Sequence, residues 1–329
     1  MKEGTNRRLL RTTNLTTWDK MVSLLKETGT GLDHTGNAIY DYLLLDGNGK
    51  KQLYVMYKST GEKNLRYFHS SSSSGTLSLG VGSITSQSKS GNTDSFVSAA
   101  YSPSLNMAIF VNDYGKVTCV KDNKALTTTA YKNIGVPFAP VCCRSAAWNP
   151  DTQTFCVLGI STGGVGGIAG TAIHQYAAVS SNGQNWDTMK ELGVFLADLS
   201  YRSDLGCLFA RCVNDGHFYV SGDGLNWQQH SQTPLPVSDT MPSATGEYTP
   251  KVAFAYNSTL GWYCAVGGKS DVAYFSKDLK HWVSTKVKNA GTIEMGDVIW
   301  VGGSINRFLI MPKGGSQFFT FNPASWKDE

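Results

Sequence analysis

Charge is scarce in this sequence: Asp, Glu, Lys and Arg make up 16% of its 329 residues, and the net charge is +4. The one tight basic cluster is Arg7, Arg8 and Arg11. A nucleic-acid surface needs a denser basic stripe, so no nucleic-acid partner is expected. Long apolar runs are missing too. The longest, such as Phe308–Pro312, are strand-sized, well short of the roughly 18 residues of a membrane helix, so no membrane insertion is expected. The opening residues carry basic side chains without an apolar h-region, which predicts no signal peptide.

Chemistry-bearing spacings are equally sparse. His34, His69, His174, His217, His230 and His281 form no His-x-x-x-His or His-x-His pair, so no metal ligands are assigned. No Gly-x-Ser-x-Gly elbow is present, and the glycine-rich stretch 159–170 lacks the Lys-Ser/Thr of a phosphate loop. The seven cysteines are an odd number, and Cys119, Cys156, Cys207, Cys212 and Cys264 lie within apolar runs, which predicts reduced core thiols. Neighbours Cys142 and Cys143 point to opposite faces of an extended chain. No catalytic residue and no cofactor follows from these patterns.

What is abundant is Gly (35 residues), with Ser, Thr and Asn, the material of tight turns, and these recur with a period. A Ser/Thr-x-Asp/Asn-x-x-x-Trp hairpin appears as Ser180, Asn182, Trp186; as Ser221, Asp223, Trp227; as Ser276, Asp278, Trp282; and as Thr320, Asn322, Trp326. Thr12, Asn14 and Trp18 match it again, and degenerate copies lie at 67–70 and 117–122. Hydroxyl and carboxylate side chains two residues apart bond turn amides, and the Trp covers apolar surface. The motif is therefore structural.

Upstream of the hairpins an aromatic-ended strand meets a polar turn and then an apolar strand, as in 97–101 then 107–111, or 252–256 then 262–266. Six such pairs occur, and the turns between them (102–106, 149–153, 202–206, 257–261) carry Asn, Asp, Pro and Gly. Four strands per repeat of about 45–50 residues describe the blade of an all-β β-propeller. Six blades are expected, near 38–95, 96–143, 144–195, 196–250, 251–295 and 296–329, with seven as the alternative. Residues 1–37 are then an N-terminal arm, an extra half-blade or a helix. The helical reading of 17–27 rests on Trp18, Met21, Val22 and Leu25 at i, i+3, i+4 and i+7.

The hairpin resembles the Asp-box, Ser-x-Asp-x-Gly-x-Thr-Trp, of bacterial neuraminidase-repeat propellers, but is one residue shorter and lacks the Thr. The resemblance implies the fold. A sialidase would add an arginine triad, and Arg66, Arg144, Arg202, Arg211 and Arg307 are spread over different repeats, but the family's Arg-Ile-Pro signature is absent. Glu247 and Glu294 read equally as partners of a nucleophile or as loop carboxylates. The low charge, the polar turns and the short divergent hairpins also look like bacteriophage tail propellers. That likeness implies a non-catalytic structural or adhesion protein of the virion, assembled in the host cytoplasm, with tail proteins as partners through residues 1–37 and self-association as a further option. A glycan-binding lectin, holding host-surface sugars on exposed aromatics such as Trp148, Trp262 or Trp300, is the alternative; a glycosidase is the second.

Overall fold

The computed structural model describes residues 2–3, 6–11, 19–23, 39–47, 50–57, 64–70, 79–85, 96–112, 117–121, 124–126, 142–161, 174–186, 188–213, 215–231, 252–267, 270–287, 294–312 and 318–323. They form seven antiparallel sheets whose strands follow chain order, so that neighbours are joined as hairpins. The first sheet is β1 (Lys2–Glu3), β2 (Asn6–Arg11) and β3 (Asp19–Ser23). Residues 19–23 are thus a strand paired with Arg8–Arg11 and not the helix that the 3.6-residue spacing suggested. The motif copy at 12–18, including Thr12, Asn14 and Trp18, lies outside the described residues; in sequence it falls between β2 and β3.

The second sheet is β4 (Ile39–Gly47), β5 (Lys50–Tyr57), β6 (Asn64–Ser70) and β7 (Leu79–Thr85). The third is β8 (Phe96–Ser102), β9 (Met107–Asn112), β10 (Val117–Lys121) and β11 (Lys124–Leu126). The fourth is β12 (Cys142–Asn149), β13 (Thr154–Ser161), β14 (His174–Ser180) and β15 (Thr188–Leu192); the glycine-rich stretch begins in β13 and continues outside the described residues. The fifth is β16 (Leu196–Arg202), β17 (Cys207–Cys212), β18 (Phe218–Ser221) and β19 (Gln228–Gln229). The sixth is β20 (Val252–Asn257), β21 (Trp262–Gly267), β22 (Val272–Ser276) and β23 (Val283–Lys286), and the last is β24 (Met295–Val301), β25 (Arg307–Pro312) and β26 (Phe319–Phe321).

Local sequence explains the first hairpin of the third to the seventh sheet. Asn106, Gln153, Gly206, Gly261 and Asn306, each just before a second strand, all have left-handed φ, between 45° and 69°. Asn and Gly tolerate that conformation, and it turns the chain in register. The first turn residue caps the loop: Ser102 Oγ accepts from Leu105 N (3.2 Å), Asn149 Oδ1 from Asp151 N (3.0 Å), and Asn257 Oδ1 from Thr259 N (2.9 Å).

The sheets stack face to face through their buried strands. Ala146, Trp148 and Phe155 pack on Met107, Ile109 and Val111 of the preceding sheet. Leu196, Leu199 and Leu208 pack in turn on Ala147, Cys156 and Leu158. First strands of successive sheets run side by side, β4 with β8, β8 with β12, β12 with β16 and β20 with β24. Alanine at positions 99, 100, 146 and 147 permits that closeness. A hydroxyl stitches it: Ala146 N donates to Ser98 Oγ (3.2 Å) and Leu199 N to Ser145 Oγ (3.0 Å).

Asn149, 1% exposed, also donates from Nδ2 to Gly222 O of the next sheet (2.8 Å). Asn149→Ala leaves both its turn amides and that carbonyl without a partner, and the expected loss is about 2–3 kcal/mol of unfolding free energy, measured by urea denaturation.

Candidate functional site

The three fully described motif copies share the Asp or Asn cap on their turn amides, and two of them also fold the Trp back onto the turn. At 221–227, Asp223 Oδ1 accepts from Leu225 N and Asn226 N (both 2.8 Å), and Ser221 Oγ accepts from Gly224 N (2.8 Å). Trp227 folds back so that Nε1 donates to Gly224 O (3.0 Å). At 180–186, Asn182 Oδ1 accepts from Gln184 N (2.9 Å) and Asn185 N (2.8 Å), and Trp186 Nε1 donates to Gly183 O (2.9 Å). At 276–282, Asp278 Oδ1 takes Lys280 N and His281 N (both 2.8 Å), Ser276 Oγ takes Leu279 N (2.9 Å), and His281 Nδ1 meets Asp278 Oδ2 at 2.7 Å. Of the fourth copy, Thr320 receives Arg307 Nη1 at 3.5 Å, Asn322 ends the described residues with Pro323, and Trp326 lies outside them.

These hairpins dock on the preceding sheet. A Cβ on Gly183 would stand 2.9 Å from both Ile109 Cγ2 and Met107 Cε, and one on Gly224 would stand 2.9 Å from Val179 Cγ1. Both glycines are also left-handed, φ 67° and 80°. Their carbonyls take a thiol from the sheet beneath: Cys119 Sγ donates to Gly183 O (2.8 Å) and Cys156 Sγ to Gly224 O (3.6 Å). Burial pushes the Cys119 thiol up to about 12, so it stays protonated and donating.

The charged groups serve similar ends. Arg202 binds Asp204 in bidentate fashion (2.9 and 2.8 Å), while Arg211, 1% exposed, binds Asp198 (2.8 Å). Arg202 pairs with Cys207 across the ladder and Arg211 with Ala197, so they sit at opposite ends of one sheet, four ladder steps or roughly 13 Å apart. They do not converge as a triad. Arg307 bonds Thr320 in the last sheet; Arg66 and Arg144 have no described side chain, and Glu247 lies outside the described residues. His174 pairs with Glu191, and His217 with Asp215. No group of three His, Cys, Asp or Glu side chains suited to a metal occurs among the described residues. Cys119, Cys156, Cys212 and Cys264 are buried free thiols, and Cys207 is half-buried.

Sequence reasoning missed one grouping. Asp198 and Asp297 occupy irregularities early in the inner strands β16 and β24. Asp198 has a left-handed φ of 57° and turns to Arg211. Asp297 is solvent-exposed. Burial pushes its carboxyl above the usual range, the Val298 amide opposes that, and the Asp198 charge adds to it. The signal lay in a carboxylate three residues before the strand-ending aromatic, where Ser98 and Ser145 stand in other repeats.

Two tests isolate the hairpin's role. Gly261 has a comparable φ, 69°, with nothing within 4 Å of its Cβ position. Gly261→Ala therefore costs backbone strain alone, about 1–2 kcal/mol, whereas Gly183→Ala adds overlap worth a further ~1–3 kcal/mol, read from paired denaturation curves. Asp223 supplies the second. Partial desolvation acts to raise its carboxyl, but the Asn226 and Leu225 amides with the Asn226 and Ser221 side chains outweigh it, holding the carboxyl at about 2 against the usual 3.8. A depressed folded-state value stabilises above the unfolded value, and that contribution is lost as pH falls from about 4 toward 2. Asp223→Asn, the residue that Asn182 supplies one sheet earlier, keeps the fold at neutral pH and flattens that part of the acid-unfolding profile.

No family model matches the chain, and no curated protein matches it in sequence. Solved structures do. One is BBS1N in complex with ARL6DN, with TM-score 0.58 and 10% identity over 94% of this chain and 84% of that one. Another is Raptor of Chaetomium thermophilum, TM-score 0.54 and 7% identity over 88% of this chain; the match spans 23% of the Raptor chain. At such identities the likeness is one of fold: the chain is a β-propeller.

Proposed function

We propose that this propeller is a non-catalytic interaction platform, and more specifically a component of a bacteriophage virion, in the tail or its host-contact apparatus. The observation that carries the reading is the employment of the motif's polar groups. The Asp223 and Asp278 carboxylates, the Asn182 amide oxygen and the Ser221 and Ser276 hydroxyls are all bonded to amides of their own turns. Groups so held offer nothing to a substrate. The aromatics that sugar stacking would require are engaged as well: Trp148 packs on Phe155 (4.7 Å between ring centroids), Trp300 on Phe308 (5.2 Å), and Trp262 lies beneath Lys277 (4.9 Å). Neither lectin nor glycosidase gains support from these contacts.

What remains is shape and surface. A ring of sheets presents a broad rigid platform, and the propeller named BBS1N was solved in complex with another protein, ARL6DN. The virion reading adds the low charge and the short divergent hairpins, with residues 1–37 as the attachment to neighbouring tail proteins. An antibody raised against the chain, applied to purified phage particles, is expected to decorate one symmetric position on the tail in negative-stain images. Undecorated particles, together with a free monomer that cleaves a fluorogenic glycoside or is retained on immobilised glycans, would overturn the proposal.

A further inference from the structure

Four repeat positions change together at a single junction, the one between the sheets β16–β19 and β20–β23. Three residues before the strand-ending aromatic, Ser98 and Ser145 supply the stitching hydroxyl; Asp198 holds that place in β16 and turns instead to Arg211. Two residues before the aromatic, alanine (Ala99, Ala146) or Leu199 gives way to Phe254 in β20, whose ring lies against Phe209 (6.0 Å) and Phe218 (4.8 Å) of the preceding sheet. The turn-capping Asn149 is replaced by Arg202. The docking glycines Gly183 and Gly224 are replaced by Leu279, which keeps a left-handed φ of 60° but carries a fully buried side chain among Phe209, Phe218 and Tyr263.

Each change has the same steric meaning. Where Gly183 and Gly224 leave no room for a Cβ, this junction accommodates an entire leucine. Where small residues let first strands run together, a phenyl ring holds them apart. Accordingly β16 and β20 do not run side by side, although β4 and β8, β8 and β12, β12 and β16, and β20 and β24 all do. The gap is filled by side chains alone. Arg202, 6% exposed, spans it with its guanidinium 3.6 Å from the Tyr256 ring centroid, 4.9 Å from that of Tyr263 and 5.2 Å from that of Phe209. It also donates to Tyr263 OH (3.0 Å), while Asp204 neutralises it. The filling leaves polar atoms unsatisfied: Arg202 Nη1 and the Trp282 indole nitrogen are buried without hydrogen-bond partners, whereas Trp186 and Trp227 have theirs.

We infer that, among the junctions from β4 to β26, this one is the seam of the propeller, the one that opens first, with Arg202 as its clasp. At β8–β12 and β12–β16, separating two sheets breaks amide-to-hydroxyl stitches and close first-strand contacts; here it means withdrawing a guanidinium from the two rings Tyr256 and Tyr263 of the next sheet, so local opening costs less. The inference stands whatever partner the platform has.

Hydrogen exchange of the full-length chain, followed by mass spectrometry, tests it. β12 and β20 are both first strands that run beside the first strand of a neighbouring sheet, so their amides compare like with like. Val252–Asn257 is expected to exchange at least tenfold faster than Cys142–Asn149. Arg202→Asn, the residue of the neighbouring repeats, is expected to raise exchange a further tenfold or more in β16–β18 and β20–β21 and to leave β8–β10 and β12–β14 unchanged. Arg202→Lys keeps the charge beside Asp204 but not the planar stacking, and is expected to fall between the two. Equal protection of β20 and β12 in the unaltered chain, which needs no variant to fold, overturns the seam; so does a rise spread evenly over all sheets in either variant.

Discussion

The approach of each motif hairpin to the sheet before it is the constraint on which the rest of the ring depends. At Gly183 and Gly224 the backbone itself is the contact surface, with side chains beneath already at the distance a Cβ would need. With the glycine backbone lying that close, the turn amides are bonded from within the turn itself. That is what the Asp or Asn two residues after the hydroxyl accomplishes. The Trp then returns its indole to the same glycine carbonyl that receives a buried thiol from below, so one carbonyl ties its own turn to its neighbour.

This arrangement also accounts for the composition. Polarity in the chain is spent on capping, where neutral Ser, Asn and Thr serve as well as a charge: Asn182 does in one sheet what Asp223 does in the next. The few charges that are buried come with partners, Arg211 with Asp198 and Arg202 with Asp204, as the cost of isolating a charge demands.

The sequence made legible whatever is set within a few residues. The turns ending at Asn106, Gln153, Gly206 and Gly261 follow from local φ preferences, and the strand pairs from alternation. The hairpin motif was readable because its hydrogen bonds span three residues. Its docking was not: the partners of Gly183 and Gly224 lie 64 and 68 residues earlier in the chain, at Cys119 and Cys156. The helix suggested by Trp18, Met21, Val22 and Leu25 failed for the same reason, since a four-residue coincidence of period carries less weight than a strand paired along Arg8–Arg11. Asp198 and Asp297 share a repeat position but lie far apart in sequence, and the fold alone brings them within each other's field.

A ring built from one repeat must still absorb whatever angle its sheets leave over, and side-chain volume is the means available. Asn149 suits a junction where the next hairpin is near enough for Nδ2 to reach Gly222 O. Across a wider junction an amide falls short, and Arg202 bridges by length, by a planar cation that three rings can face, and by a fork that Asp204 holds. The departure of Arg202, Phe254, Leu279 and Asp198 from the repeat is therefore one substitution in physical terms. Any of them placed alone in a narrow junction would collide or leave a polar group stranded; together they define a different spacing. Divergence among the repeats of this chain is where its geometry is adjusted, and at the junction of β16–β19 with β20–β23 the adjustment is made by side-chain volume.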